Sequence, residues 1–233
     1  MKVSIITAVL NSHEIVRRQI LHYEKMNLPD DVEIIFMDDG SVPKLKDTSS
    51  IDRINIYKTN DDRPWTEHIA RNRGVDIAKG EYIILIDIDY ILPREAIESV
   101  RQFSGDRMNF KRRFGALDEV GNIAYDRKTL EAYNLKSRWF KTIYFPGHRS
   151  QFAMRKDLFK ELGGYREDLS GVNHPSGGGA GQSFWKKWMK AERKGKATVS
   201  EIVPEIFMFP AGKFCKTDGD NPLGLFHNLK REV

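Results

Sequence analysis

The sequence predicts an α/β protein built on a doubly wound, mostly parallel sheet flanked by helices. Through residue 89, short runs rich in Val and Ile alternate with amphipathic segments of helical period. Strands that alternate with helices form parallel sheets through right-handed crossovers. The runs are nearly continuous in apolar residues, which is typical of strands buried on both faces. Acidic residues end two of these runs, where an open sheet of this kind collects its ligands.

The first part of the chain contains four predicted strands and two predicted helices. One helix covers 13–26 and follows Asn11 and Ser12, which can cap its amino end. The other covers 65–79, with Gly80 as its C-cap. The strands are rich in β-branched residues and cover 2–10, 32–41, 52–60 and 81–89.

The pattern changes after a third predicted helix, 93–103, which a proline opens. Residues 104–150 are polar, aromatic and irregular, and 149–165 predict a strand entering a short helix. The glycine-rich segment 174–182 predicts a flexible loop. It precedes a helix over 183–195 whose apolar face is formed by Phe184, Trp185, Trp188 and Met189.

Length and composition suit one domain over residues 1–233, with 40% hydrophobic residues available for a core. No apolar run approaches the ~18 residues that span a bilayer, so we expect no transmembrane segment. The apolar stretch at the amino terminus is too short for a signal peptide, because polar residues follow it early. We therefore expect a cytoplasmic protein. The single cysteine, Cys215, excludes an internal disulfide framework and a cysteine-based zinc site.

The charge balance is mildly basic, with 38 Lys and Arg against 33 Asp and Glu and a formal net charge of +5. Such a bias suits phosphate-bearing ligands, although a plain soluble surface has a similar composition. The basic run Lys111, Arg112 and Arg113 is too short to predict nucleic-acid binding, and we interpret it as a solvated face. We expect no nucleic-acid partner.

Acidic pairs follow two predicted strands. Asp38 and Asp39 end the second strand, and Asp87 and Asp89 end the fourth. Neighbouring carboxylates repel one another and lose hydration, which a divalent cation or ligand donors can offset. On an extended segment, residues two apart point to one face, so Asp87 and Asp89 can address one metal and phosphate site. The alternative is that these acids only cap turns, as "DDGS" does most often.

Three other nucleotide-binding or phosphate-binding classes fit less well. No G-x-G-x-x-G follows the first strand, which disfavours a dinucleotide-binding domain. The absence of G-x-x-x-x-G-K-[ST] disfavours a P-loop enzyme. A receiver-type phosphoacceptor also gathers acids at strand ends, but such domains have about half this length and would leave the second half unexplained.

Four segments in register resemble family 2 glycosyltransferases of the GT-A fold. They are "VSIITAVLN", "IIFMDDGS", "ARNRGVDIAKGEY" and the D-x-D formed by Asp87 and Asp89. The resemblance covers residues 1–103, and it is fainter through "FAMRKDLFKELGGYRED" and "SFWKKW". It implies a Rossmann-like nucleotide-sugar-binding half, 1–103, and a smaller mixed acceptor-binding half, 104–233.

The resemblance implies a metal-dependent, inverting transfer of a sugar from a nucleotide-diphosphate sugar to a hydroxyl of a glycan or similar acceptor. A UDP-sugar is the expected donor, and Mn²⁺ or Mg²⁺ is the expected Lewis acid at the leaving diphosphate. Two rivals remain open. One is a non-catalytic nucleotide-sugar or glycan-binding module. The other is a sugar nucleotidyltransferase, which would want a Gly- and Arg/Lys-rich loop where this chain has "AVLNSHE".

The same resemblance assigns roles to residues of the donor site. Asp89 is expected to bind the metal, Asp87 to face the ribose or assist the metal, and His227 to supply a further metal ligand. Asn72 and Gly74 are expected to let their helix approach the sheet closely. Asp39 is expected to accept a hydrogen bond from the base, with Asp38 supporting the turn. The remaining donor-site residues are expected to line the nucleotide pocket: Thr7, Ala8 and Arg71.

One departure from the family pattern concerns the general base. Members commonly carry an E-D pair before the helix that matches Phe184 and Trp185, but this chain has Ala180 and Gly181 there. A general base is worth roughly 10²- to 10⁴-fold in rate. The chain could recruit a base from elsewhere, react without a protein base, or be a weakened binder. The nearest candidates in sequence are Asp168, Glu167 and His174.

Overall fold

The computed structural model describes residues 1–46, 48–63, 66–142, 144–169, 179–211 and 214–216. Eleven strands lie in this part of the chain. They are β1 (Val3–Val9), β2 (Val32–Asp38), β3 (Ile54–Lys58), β4 (Tyr82–Asp87), β5 (Tyr90–Ile91), β6 (Arg107–Asn109), β7 (Lys111–Phe114), β8 (Ala116–Leu117), β9 (Ile123–Ala124), β10 (Phe152–Arg155) and β11 (Glu205–Met208).

Six α-helices and two short 3₁₀ helices accompany the strands in the described residues. None of these helices is both long enough and apolar enough to cross a bilayer. The α-helices are α1 (His13–Lys25), α2 (Glu67–Ile77), α3 (Arg94–Arg101), α4 (Arg127–Ala132), α5 (Lys156–Glu161) and α6 (Gly179–Arg193). The 3₁₀ helices cover Ser137–Trp139 and Glu167–Leu169.

The central sheet has six strands in the order β3-β2-β1-β4-β10-β6. β1 pairs in parallel with β2 and β4, and β2 pairs in parallel with β3. β10 runs antiparallel to both of its neighbours. The predicted mostly parallel α/β sheet is therefore confirmed. Two strands from the second half of the sequence complete it, and smaller sheets β5-β11-β7 and β8-β9 lie beside it.

Helices cover both faces of the sheet, as a doubly wound topology requires. Successive residues of a strand point to opposite faces, so adjacent β1 residues join different cores. Ile5 packs in a cluster with Val16 of α1 and Ile97 of α3. Ile6 packs in a second cluster, with α2 and α6 residues that include Ala70 and Trp188.

Two predictions about irregular segments were wrong. Residues 104–150 contain β6 to β9 and α4, whose strands are too short to leave a clear periodic signal. The predicted loop 174–182 ends earlier than expected, because α6 already begins at Gly179; residues 174–178 lie outside the described part. Ala180 is buried in the core, so packing outweighs the poor helix propensity of the glycines beside it.

Gly80 does not cap α2, contrary to the prediction. The helix ends at Ile77, and Ala78 after it is extended. Gly80 instead lies against β1, where its N–H donates to the Ser4 hydroxyl at 2.8 Å. A Cβ on Gly80 would lie 2.6 Å from the Ser4 backbone nitrogen, so only glycine fits this close approach.

The expected close approach of α2 to the sheet is confirmed at Gly74. A Cβ there would lie 2.5 Å from Cγ2 of Ile6 on β1 and 3.2 Å from Cγ of Met37 on β2. Asn72 has a different structural role. Its side-chain amide exchanges hydrogen bonds with the Tyr165 backbone at 2.9 and 3.1 Å. It ties α2 to the segment after α5.

We expect Gly74→Ala to destabilise the fold by about 1 to 3 kcal/mol, since the added methyl must displace buried side chains of β1 and β2. Urea unfolding followed by circular dichroism measures the change. The matched control is Gly179→Ala, where a Cβ would meet Leu169 at an ordinary 3.5 Å and helix propensity favours alanine. Equal stability of Gly74→Ala and the parent chain would contradict the expectation.

Candidate active site

The carboxyl ends of β2, β1 and β4 meet at one edge of the sheet. Ala8 of β1 lies opposite Met37 and Asp87, and Val9 lies opposite Asp38. The backbones of Asp38 and Asp87 are therefore about 10 Å apart, one on each side of β1. Thr7, buried, lies one residue before Ala8 in the same strand. This edge gathers most of the residues that the sequence analysis assigned to the nucleotide pocket.

Both acids at the end of β2 are buried and held by hydrogen bonds. The Asp38 carboxylate accepts from the backbone N–H groups of Ser41 at 2.8 Å and Leu45 at 3.3 Å, so it fixes the turn after the strand. The Asp39 carboxylate accepts from the hydroxyl of Thr66, which precedes α2. The acidic pair thus links the β2 turn to the amino end of α2.

The side chain of Arg71 is wholly buried at the end of β4. Its Nη2 donates to the Asp87 carboxylate and lies 3.1 Å from Oε1 of Glu67, one turn earlier on α2. Its Nη1 donates to the Ser150 carbonyl at 3.2 Å. The guanidinium therefore joins α2, β4 and the segment before β10.

Asp87 has a second donor, the Gln151 side-chain amide. Burial raises the pKa of Asp87 to about 6, with a further contribution from the negative charge of Glu67 and an opposing one from Arg71. Burial also acts to raise the pKa of Glu67, but the charges of Arg71 and His68 and a hydrogen bond with Asp87 together outweigh it, so the net shift is downward. The sequence analysis missed both Glu67 and Gln151.

Asp89 lies in a turn, because β4 ends at Asp87. The expectation that both acids share one face of an extended segment was therefore wrong. Within the described residues, no side chain donates a hydrogen bond to the Asp89 carboxylate, although its backbone carbonyl accepts from Phe209 at 2.8 Å. Burial and then the negative charge of Asp87 raise the pKa of Asp89 to about 8. Asp89 is the uncompensated acid of the pair, in the sense that no described side chain hydrogen-bonds to its carboxylate and the charge of Arg112 offsets only part of the rise in its pKa.

Two buried side chains of α1 hold the backbone around Asp89. Gln19 Nε2 donates to the Tyr90 carbonyl at 2.6 Å and to the Ile88 carbonyl at 3.3 Å. His22, one turn further along α1, has Nε2 3.0 Å from the Leu92 carbonyl. Side chains of α1 thus fix the turn that carries Asp89. The sequence analysis did not predict this contact.

The residues present fit a divalent cation bound together with a diphosphate. Mg²⁺ is usually held by one or two carboxylates, with substrate phosphates and water completing its octahedron, and Mn²⁺ accepts similar oxygen ligands. Asp89 has an uncompensated carboxylate for this purpose, and Asp87 is close enough to shift its pKa. The described residues contain no group of three or more His, Cys, Asp or Glu arranged for a metal, and the predicted ligand His227 lies outside them.

The candidate bases differ in their surroundings. Glu167 accepts a hydrogen bond from Asn72 Nδ2 at 3.0 Å, which places it against α2. Asp168 is exposed and ion-paired with Arg166, whose hydrogen bond lowers the pKa of the Asp168 carboxyl. A lowered pKa makes Asp168 a weak base. His174 lies outside the described residues.

The first turn of α6 adjoins the Arg71 cluster. A Cβ on Gly181 would lie 3.2 Å from Nε2 of His68 and 3.8 Å from the Ser150 hydroxyl. His68 follows Glu67 on α2, and burial lowers its pKa, so its imidazole is neutral at pH 7. The sequence analysis did not select His68, since only the packing of α6 on α2 reveals it.

The family model described as "Glycosyl transferase family 2" matches residues 4–163, more than half of the chain. The chain belongs to glycosyltransferase family 2. The match runs from β1 to the end of α5 and includes the strand-end acids and Arg71. It also explains why the resemblance was strongest in the first half of the sequence.

Two curated relatives cover part of the chain. The poly(ribitol-phosphate) beta-glucosyltransferase of Bacillus spizizenii is 31% identical over 122 residues, which are 47% of this chain and 18% of that protein. Glycosyltransferase GlyG of Streptococcus pneumoniae serotype 4 is 26% identical over 103 residues, which are 43% of this chain and 34% of that protein. The chain therefore spans much less than the full length of either relative.

Solved structures show the same fold at low sequence identity. The fragment 1–349 of S. aureus TarS matches with a TM-score of 0.55 and 14% identity, covering 90% of this chain and 61% of that one. Glucosyl-3-phosphoglycerate synthase from Mycobacterium tuberculosis matches with a TM-score of 0.50 and 15% identity, covering 98% and 75%. The predicted GT-A fold is confirmed.

We expect Arg71→Met to destabilise the protein by about 1 to 3 kcal/mol, because it leaves the half-buried carboxylate of Asp87 without its cation. Arg73→Gln is the matched control on the same helix, since Arg73 is half-exposed and lies 3.6 Å from Asp61; we expect a change within about 0.5 kcal/mol. Denaturant unfolding of both variants gives the comparison. Similar small losses in the two variants would refute a central role for the Arg71–Asp87 pair.

Proposed function

We propose that this chain transfers a sugar from a nucleotide-diphosphate sugar, with a UDP-sugar as donor, to a hydroxyl of a glycan or related acceptor. The observation that carries the proposal is the uncompensated Asp89 in a fixed turn beside the Arg71–Asp87 pair. Family membership supports it. S. aureus TarS, which shares the fold, has been solved with UDP.

In this proposal the donor lies across the ends of β2, β1 and β4. Mn²⁺ or Mg²⁺, held by Asp89, would neutralise charge on the leaving diphosphate. Asp87, oriented by Arg71 and Gln151, faces the ribose or assists at the metal. Thr7, Ala8 and the acids Asp38 and Asp39 form the nucleotide wall, where Asp39 would accept a hydrogen bond from the base.

In this proposal, the sugar acceptor binds next to the first turn of α6. One relative is named for poly(ribitol-phosphate), and the mycobacterial synthase was solved with phosphoglyceric acid; both compounds carry hydroxyl and phosphate groups. We therefore propose a hydroxyl acceptor that also bears phosphate. Our candidates for its general base are Glu167, which accepts a hydrogen bond from Asn72 of α2, and His68 of α2, which lies against the first turn of α6.

A binding module without turnover is the second candidate. It is favoured by one observation: the start of α6 carries Ala180 and Gly181 in place of an acid pair. If no group replaces that pair, an inverting displacement loses its proton acceptor and donor binding remains. The donor site itself would look the same in both cases, so turnover must be measured directly.

We expect slow UDP release when the protein is incubated with UDP-sugars and Mn²⁺, and loss of this release by on the order of 10²-fold or more in Asp89→Ala. The reason is that metal stabilisation of the leaving group contributes several kcal/mol to the barrier. A coupled assay for UDP follows the reaction, with a chelator as a second control. Asp76→Asn is the matched control variant. Asp76 is an exposed acid at the carboxyl-terminal end of α2, where it forms an ion pair with Lys160 of α5.

The outcomes separate the alternatives. Metal-dependent UDP binding with no turnover on any acceptor would favour the binding module. Formation of a sugar nucleotide from a sugar phosphate and UTP would identify a nucleotidyltransferase. Undiminished UDP release by Asp89→Ala would contradict the proposed role of this carboxylate.

A further inference from the structure

The positive charge of this protein is concentrated at the carboxyl-terminal part of α6. Residues 186–196 contain six Lys and Arg side chains and a single acid, Glu192. The segment therefore has a formal charge of +5, which equals the formal net charge of the whole chain. The charges of all other residues cancel. The mild overall basicity is thus a local feature of one helix and the turn that follows it.

The basic side chains line a groove of about 560 Å³ along α6. Its two walls are rows of residues four apart, which lie above one another on a helix. One row is Trp185, Met189 and Arg193, and the other is Lys186, Lys190 and Lys194. With a rise of 1.5 Å per residue, successive Cα atoms in each row are about 6 Å apart along the helix axis. The groove therefore combines an apolar row with a regular row of cations.

These cations have no acidic partners within the part of the chain that the structure describes. Other exposed basic residues form ion pairs there, for example Arg17 with Glu14 at 2.8 Å and Lys2 with Glu81 at 2.7 Å. No ion pair in the described residues involves a basic side chain of the groove. An uncompensated row of this kind attracts anions.

A buried cation supports the floor of the groove. Arg107 is wholly buried, and its guanidinium lies 4.2 Å from the ring centre of Phe152, 4.7 Å from that of Trp185 and 5.1 Å from that of Trp188. Its Nε and Nη1 have no hydrogen-bond partner among the described residues. Arg107 therefore fixes the Trp185 ring by cation–π contact and adds positive potential beneath the groove.

We propose that the groove on α6 binds a polymer with repeating phosphate groups, whose sugar or polyol units pack on Trp185 and Met189. Lys186, Lys190 and Lys194 would each meet a phosphate. The inference deepens the proposed function, on which it rests, by identifying this polymer as the acceptor chain. α6 begins beside His68 at the catalytic edge, and Lys186 follows about 10 Å further along, so one chain can reach both.

Charge and exposure favour a polymer over a lipid surface. Membrane-binding helices present fully exposed apolar side chains that insert between headgroups, whereas Trp185 and Met189 are half-buried here. The nearest exposed apolar residues along the chain are Ile202 and Val203, and acids stand on either side of them at Glu201 and Glu205. Those acids would be repelled by an anionic membrane.

The test uses inorganic polyphosphate as probe, with binding measured by calorimetry at two salt concentrations. We expect Lys186→Gln, Lys190→Gln and Lys194→Gln together to weaken binding by roughly 10- to 100-fold and to reduce its salt dependence. The matched control neutralises three exposed lysines elsewhere and removes the same charge: Lys79→Gln, Lys128→Gln and Lys141→Gln. Metal-dependent UDP binding and thermal unfolding verify that both variants are folded.

Equal weakening in both triple variants would overturn the proposal, since it would show that only net charge matters. Binding to phosphatidylglycerol vesicles without binding to polyphosphate would overturn it in favour of a membrane. Asp89→Ala separates the two proposals: we expect it to keep the affinity for polyphosphate while losing UDP release. If the groove binds polyphosphate and the parent chain never turns over a donor, the proposed function fails and the anion site stands.

Discussion

The ion pair between the buried Arg71 and the half-buried Asp87 is the contact on which the donor side of the site depends. Asp87, Glu67 and the Ser150 carbonyl contact the two terminal nitrogens of this guanidinium, while its Nε has no hydrogen-bond partner among the described residues. The pair ties α2 to the end of β4, and Gly74 on the same helix allows α2 to lie close to β1 and β2.

The two acids of the D-x-D therefore differ in their hydrogen-bond partners and in the charges around them. Asp87 is held by Arg71 and Gln151, so its charge is already balanced by the protein. Asp89 is two residues away in a turn fixed by α1, and no side chain in the described ranges hydrogen-bonds to its carboxylate. The charge of Arg112 offsets only part of the rise in the pKa of Asp89. In the proposed function, diphosphate oxygens would complete the ligand sphere of a cation bound to Asp89. One carboxylate is thus held by the protein, and the other is the proposed metal ligand.

The sequence predicted the parallel strands and the acids at their ends because both leave local signals. Buried strands produce apolar runs, and strand-end acids stand out against them. It could not place Glu67 or Gln151, because their roles arise only when α2 and the segment before β10 meet at Asp87. Nor could it find the turn at Asp89, since residues 81–89 read as one continuous strand. The early start of α6 was missed for a related reason, as tertiary packing overrides the low helix propensity of glycine.

The most direct test of this account is the anomalous diffraction of crystals grown with Mn²⁺ and UDP. We expect one manganese peak within bonding distance of the Asp89 carboxylate and of diphosphate oxygens, with the Arg71–Asp87 pair intact beside it. A manganese peak bound elsewhere, or UDP bound at the sheet edge with Asp89 turned away from it and no metal, would contradict the account.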